Sequence, residues 1–406
     1  MIDLYSGIAP ARDLQLIHKL CEKLRGRSFL HVNSTREGGG VSEILQRMIP
    51  LLKDLDIDAR WEVIKGDAKF FDITKKMHNG LQGNREEITE AMWKYHYEVN
   101  RANIKHIDFN ADAVLIHDPQ PVPLIEFRKN KKNSVWMWRC HIDVSNPVPE
   151  IWDRIKGYVL NYRTAIFSVA KFSRTLPIDE IFITPSIDPL SEKNRDLTEM
   201  EIQAVMEKFK LPMNKPILLQ VSRFDKFKDP IGVIKVYRIV KKYTDCSLIL
   251  GGSSASDDPE GEAMLNEVRE FAGDDPDIHI LLLPPFSDRE INALQRAADV
   301  ILQKSIKEGF GLTVSEAMWK EKPVIGGAVG GIPLQIIHGV NGFLVYSVEG
   351  AAFRTRQFLN NSDMARRMGQ KGKEFVKNNF LITRQIRDYL SIWYAMECKG
   401  KSVLEL

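Results

Sequence analysis

Short apolar runs alternate with longer amphipathic stretches along most of this chain. RSFLHVN (27–33), ARWEVIK (59–65), AVLIHD (113–118), SVWMWRCH (134–141) and TAIFSV (164–169) predict strands, with helical patterns between several of them. PILLQVS (216–222), CSLILGG (246–252), IHILLLP (278–284), DVILQKS (299–305) and KPVIGG (322–327) repeat the arrangement. Strands that are apolar almost throughout, separated by helical segments, predict parallel sheets covered on both faces. The expected fold class is therefore α/β, with doubly wound, Rossmann-like sheets.

At 406 residues the chain exceeds one ordinary core, so two domains are expected. The break falls in the proline-bearing, mixed-charge region 184–215. This predicts an N-terminal domain over 1–195, a second domain over 196–380, and a final segment, 381–406. That segment, which includes ITRQIRDYLSIWYAMEC, is an apolar helix free to pack on either domain, with a return to the N-terminal one assigned to it. Two such domains facing one another would place ligands at the strand carboxyl ends lining a central cleft.

Composition narrows the classes. An apolar fraction of 44% and a charged fraction of 27% are those of a globular protein, and a net charge of +3 argues for neither nucleic acid nor membrane. RKNKKN (128–133) reads as a solvated turn. No apolar run is long enough for a bilayer, and the start MIDLYSGIAPARD lacks a signal-peptide layout. Cys21, Cys140, Cys246 and Cys398 are scattered without a CxxC pair, so neither zinc nor a disulfide framework is expected. A reduced, cytoplasmic protein is the resulting expectation.

Chemistry gathers on the predicted loops. VSRFDKFKDP (221–230) follows a buried-type strand, putting Arg223 and Lys228 at its carboxyl end; a planar fork and a point charge suit a diphosphate. GGSS (251–254) follows the next strand and lets backbone approach a ligand closely. KEGFGLTVSEAM (307–318) is a loop running into a helix: Gly309 and Gly311 permit tight turns whose amides can cradle a phosphate. Thr313 and Glu316 fit a capping box, which offers Glu316 a structural role beside a ligand-binding one. Glu308 and Glu316 are eight positions apart, roughly 12 Å if helical. Glycosidase carboxylate pairs need about 5 Å or about 6.5–9.5 Å, so the spacing favours two separate tasks. Glu308 can reach sugar hydroxyls, and Glu316 can accept from a ribose diol. VGGIP (329–333) brings Gly330 and Gly331 to a further turn towards the cleft.

In the N-terminal half, HVNSTREGGGVSEIL (31–45) is a strand, a glycine loop and a helix, in which Gly38, Gly39 and Gly40 let amides approach an anion. HDPQP (117–121) and RCHID (139–143) place His117 and His141 at strand carboxyl ends. One histidine there is more often structural; two in one predicted cleft suit sugar hydroxyls or proton transfer.

These motifs, in this order, resemble the retaining GT-B glycosyltransferases of glycosyltransferase family four. KEGFGLTVSEAM is similar to the family's E-x7-E motif, Arg223 and Lys228 to its basic pair at the donor pyrophosphate, and AVGGIP with VNGFLV (340–345) to its glycine turn and downstream run. The resemblance implies Glu308 near the transferred sugar, Glu316 on the ribose, contacts from Phe310, Gly311 and Leu312 between them, and Gly39 and Gly40 at the donor. It also implies His141 beside the donor sugar.

HVNSTREGGGVSEIL, VIKGDAKFFDITKKMHNGLQG (63–83), HDPQP and WRCHID are most similar to the trehalose synthases and trehalose phosphorylases of that family. In the 63–83 insert, which also carries His78, Phe70 and Phe71 would take the apolar faces of an acceptor sugar, with Lys75, Asn79 and Gln82 at its polar edges. His117, Asp143, Gly330 and Gly331 complete the implied acceptor side.

The implied function is retaining transfer of glucose from a nucleoside diphosphate glucose to free glucose, giving trehalose, in a reversible reaction. Glu308, Arg223, Lys228 and His141 carry the catalytic roles. No cofactor is required, no DxD-like metal motif stands near the cleft loops, and a homodimer is compatible with the sequence. A phosphorylase, another sugar transferase, a sugar-nucleotide epimerase and a non-catalytic sensor are the alternatives.

Overall fold

The computed structural model describes residues 1–36, 40–128, 134–252, 259–284 and 286–398. Gly38, Gly39, residues 129–133 of the basic run, and Ser253 and Ser254 of the GGSS turn lie outside the described residues.

The first unit comprises Met1–Ser186 together with the chain from Ile382 onward. Its six strands are β1 (Ser28–Asn33), β2 (Asp58–Val63), β3 (Ala113–His117), β4 (Val135–Cys140), β5 (Thr164–Phe167) and β6 (Asp179–Phe182). They pair in the order β2-β1-β3-β4-β5-β6, all parallel. β3, β4 and β5 are buried throughout, as near-continuous apolar runs require. The final helix, Ile382–Glu397, packs into this unit, where Arg387 donates to the buried Asp13 at 2.6 Å and Trp393 stands against Phe29.

The second unit spans Ile187–Leu381. Its strands are β7 (Ile217–Val221), β8 (Ser247–Gly252), β9 (Ile278–Leu282), β10 (Val300–Gln303), β11 (Val324–Gly327) and β12 (Phe343–Val345). The order β12-β11-β10-β7-β8-β9 is again parallel throughout. The strand order switches sides between β7 and β10, and in open parallel sheets ligands bind outside the strand carboxyl ends at that point.

Residues 187–195, assigned by sequence to the first domain, are tied into the second unit. Ile187 pairs with Leu381, and Asn292 donates to the carbonyls of Glu192 and Arg195 at 2.9 and 2.8 Å. β6 and β12 were not among the predicted strands. Both are short edge strands, and DEIF carries two acids while being only partly covered. Among the described residues no helix is long and apolar enough to cross a membrane.

Candidate functional site

In the second unit the predicted cationic loop and the predicted glutamate loop leave the sheet from adjacent strands. Lys228, after β7, donates to Glu308, after β10, at 2.5 Å, and Ser305 donates to the same carboxylate oxygen at 3.1 Å. The buried Gln220 anchors the Lys228 carbonyl at 2.7 Å, and the amide of Ile306 donates to Phe227 at 2.8 Å, stitching the two loops together. Lys304 pairs with Asp229, whose left-handed backbone (φ 52°) starts the helix Pro230–Lys241. Arg223 stands at the open side of the loop, 63% exposed, with its guanidinium 3.6 Å from Asp225.

The glycine turns after β10 and β11 stack on one another. Gly331 donates to the Gly309 carbonyl at 2.9 Å, and Gly330 holds φ 54° with its α-carbon so close that a Cβ would lie 1.7 Å from the Glu308 carbonyl oxygen. Gly330 and Gly331, expected on the acceptor side, thus pack directly against loop 308–310, which was expected on the donor side. Gln335 donates to the Phe310 carbonyl at 2.6 Å and accepts from Ser315 at 2.6 Å. The ring of Phe310 packs on Phe380 in the core, so only its backbone is available to a ligand.

The capping box expected from Thr313 and Glu316 does not form. The helix Leu312–Trp319 starts instead from Gly311 in the left-handed region (φ 85°) with no side-chain cap. Glu316 consequently lies beyond the first turn. It is buried, with Gln295 donating to it at 3.4 Å and Lys193 4.0 Å away. A buried carboxylate with a lysine and an amide beside it is held for a ligand or an internal contact, not for capping.

In the first unit, His117 ends β3 and His141 follows β4, and the structure joins them. His117 Nδ1 is 2.9 Å from His141 Nε2, while His117 Nε2 is 3.1 Å from Nδ1 of His31 in β1. Both ring nitrogens of His117 are thereby engaged, which removes it from the acceptor contacts expected of it. His141 is half-buried, and its amide donates to Asp118 at 2.8 Å. Burial drives the His31 pKa down to about 3. Burial also drives His117 well below the ordinary value, helped by His141, His31 and the Arg139 guanidinium; His141 is lowered by burial and by Arg139. Burial pushes Asp118 up to about 7, against the lowering effects of the His141 amide and Arg139.

Among the other predicted acceptor residues, Asn79 donates to Glu86 at 3.0 Å, Asp143 accepts from the Ser145 amide at 2.9 Å, and Gln82 ends the helix Ala68–Leu81. Phe70 is fully buried and stacked on His96, so it cannot meet a sugar; Phe71 remains 40% exposed. Gly40 opens the helix Gly40–Asp54, while Gly39 lies outside the described residues.

His31, Asp118, Gln295 and Lys193 were missed. His31 and Asp118 had a readable signal: three histidines in or beside β1, β3 and β4, which the sheet order makes neighbours, and an acid next to one of them. Gln295 and Lys193 had none, because they reach Glu316 only through tertiary packing.

Two parallel six-stranded sheets, the second with a basic loop and a glutamate loop at its switch point, define an α/β protein of the GT-B fold. Residues 31–174 match the family described as trehalose synthase, N-terminal domain, and residues 201–375 match glycosyl transferases group 1. A trehalose synthase from Thermococcus litoralis is 48% identical over 394 residues, covering 96% of this chain and 95% of that protein. A trehalose phosphorylase from Pleurotus pulmonarius is 30% identical, over 84% of this chain and 54% of its own length. The solved α,α-trehalose 6-phosphate synthase from Burkholderia multivorans aligns with a TM-score of 0.73 at 11% identity, over 93% of this chain and all of that one, a likeness of fold alone. The chain belongs to the trehalose synthase family of group 1 glycosyltransferases.

Proposed function

We infer that the protein transfers glucose, with retention, from a nucleoside diphosphate glucose to free glucose, forming trehalose and a nucleoside diphosphate in a reversible reaction. The observation that carries this reading is the hydrogen-bonded pair of Lys228 and Glu308, at the carboxyl ends of adjacent strands with Arg223 on the same loop. Arg223 and Lys228 take the diphosphate, whose negative charge grows as the glycosidic bond breaks. Glu308, bonded to Lys228, faces the sugar hydroxyls, and the loop amides 309–312 add donors near the phosphate. Glu316 accepts from the ribose diol. His141 serves the sugar and leaving-group side, with Asp143, Asn79 and Gln82 assigned to the acceptor and Gly40 to the anion.

Retention follows front-face attack. The acceptor oxygen bonds to the anomeric carbon as the carbon–phosphate-oxygen bond breaks, and the acceptor's proton passes to the departing phosphate oxygen. Arg223 and Lys228 stand as the cations for the leaving diphosphate, and the route is proposed without a cofactor.

Incubation of the protein with trehalose and either inorganic phosphate or a nucleoside diphosphate tests the reading. Nucleotide-dependent loss of trehalose with formation of the sugar nucleotide is expected. Glucose 1-phosphate formed without nucleotide would make the protein a phosphorylase instead.

A further inference from the structure

His31 lies inside β1, fully buried, and the mechanism above gives it no part. Yet it is the inner end of a continuous chain. His31 Nδ1 meets His117 Nε2 at 3.1 Å, and His117 Nδ1 meets His141 Nε2 at 2.9 Å. Both ring pairs lie edge to edge and nearly coplanar, with centroids 5.4 and 5.3 Å apart and planes inclined by 22° and 17°. The other nitrogen of His31, Nε2, has no hydrogen-bond partner and sits among buried aromatic rings, Phe29 at 4.3 Å and Tyr389 edge-on at 6.3 Å between centroids. A purely structural position here would be served by an apolar side chain, without the cost of an orphaned polar atom.

A neutral imidazole carries one N–H and one bare nitrogen, so each link in the chain needs one of each. With the His31 proton on Nδ1, His117 must accept on Nε2 and carry its own proton on Nδ1, and His141 must do likewise. With the His31 proton on Nε2, the same reasoning puts the proton on Nε2 of all three rings. Any mixture sets two N–H groups or two lone pairs against each other. Burial holds all three rings neutral.

We propose that His31, His117 and His141 form a relay whose tautomers are locked to one another, in which His31 and His117 are positioning residues that pass their proton position outward and so decide whether the outer nitrogen of His141, Nδ1, donates or accepts. The consequence for transfer rests on the reading of His141 as a sugar-side residue; the lock itself does not.

Long-range ¹H–¹⁵N spectra of the full chain labelled at histidine read the tautomer of each ring directly, with assignments from single substitutions. The expected result is one tautomer shared by all three rings. In His31→Leu, His141 should show a mixture, and kcat for transfer should fall about tenfold with donor KM little changed. His31→Asn, which returns a bonding group near the Nδ1 position, should recover much of the rate and the single tautomer, and it decides the matter if the Leu variant folds poorly. Mixed tautomers in the unaltered protein overturn the relay, as does a His31→Leu protein with an unchanged His141 spectrum and rate. Absence of transfer alongside a shared tautomer sinks the functional reading alone.

Discussion

Lys228 and Glu308, brought from the ends of β7 and β10, form one hydrogen-bonded ion pair at 2.5 Å. The cation assigned to the diphosphate and the carboxylate assigned to the sugar are thus a single coupled unit. Both are largely buried, at 18% and 8% side-chain exposure, so removal of either leaves an uncompensated charge. Lys228→Met and Glu308→Gln should each cut transfer strongly and lower stability. The double variant should be more stable than the two losses summed, by a coupling of about 1–3 kcal/mol in a denaturant double-mutant cycle. Simple additivity would show that the pair carries no coupling.

Gly330 presses its backbone against the loop that carries Glu308. Gly330→Ala places a methyl where the Glu308 carbonyl stands and also strains a positive φ. The expected outcome is a loss of about 2 kcal/mol or more in urea denaturation, together with a raised donor KM because Glu308 must shift. An unchanged donor KM would separate this turn from the site.

Asp118 has a pH signature of its own. Its carboxyl pKa rises from 3.8 to about 7 on folding, because burial disfavours the charge. Between those values the folded protein holds a proton that the unfolded chain has released. This contribution to stability therefore falls as pH rises towards 7 and is level above it. Asp118→Asn should improve in stability relative to the unaltered protein by about 1–3 kcal/mol between pH 5.5 and pH 8. Parallel stability curves for the two proteins would contradict the assignment.

Four buried or half-buried histidines act in the opposite sense. His31 and His96 are lowered from 6.5 to about 3 and about 4, both chiefly by burial, and His117 and His141 are lowered well below 6.5. Below pH 6.5 the unfolded chain takes up protons that the folded one refuses, so stability is lost as pH falls. These four histidines less the proton kept by Asp118 contribute a net uptake of about three protons on unfolding near pH 5.5, to which the lowered His279 adds in the same sense, and the slope of unfolding free energy against pH reads it.

Much of this was legible because apolar runs such as PILLQV and AVLIH have one physical use, as buried parallel strands, and their carboxyl ends locate Arg223, Lys228, Glu308 and His141 without further information. Contacts across the sheet were not legible. The chain writes His31 and His117 far apart, and only the neighbouring of β1 and β3 reveals that they touch. Thr313 misled for a related reason. Its T-x-x-E pattern is locally sufficient for a cap, but Gly311 already turns the chain into the helix in the left-handed region, which leaves the box nothing to close. Phe70 likewise has the composition of a sugar platform, while its position on the inner face of Ala68–Leu81 commits it to the core.

Proton NMR of the product formed from free glucose and a nucleoside diphosphate α-glucose isotope-labelled at its anomeric carbon reads nucleotide-dependent, retaining transfer of glucose to glucose. The expected product is α,α-trehalose, appearing in step with nucleoside diphosphate and abolished in Arg223→Ala. A β configuration at the donor-derived anomeric carbon, or donor consumed at the same rate without glucose as with it, would contradict retaining transfer to glucose.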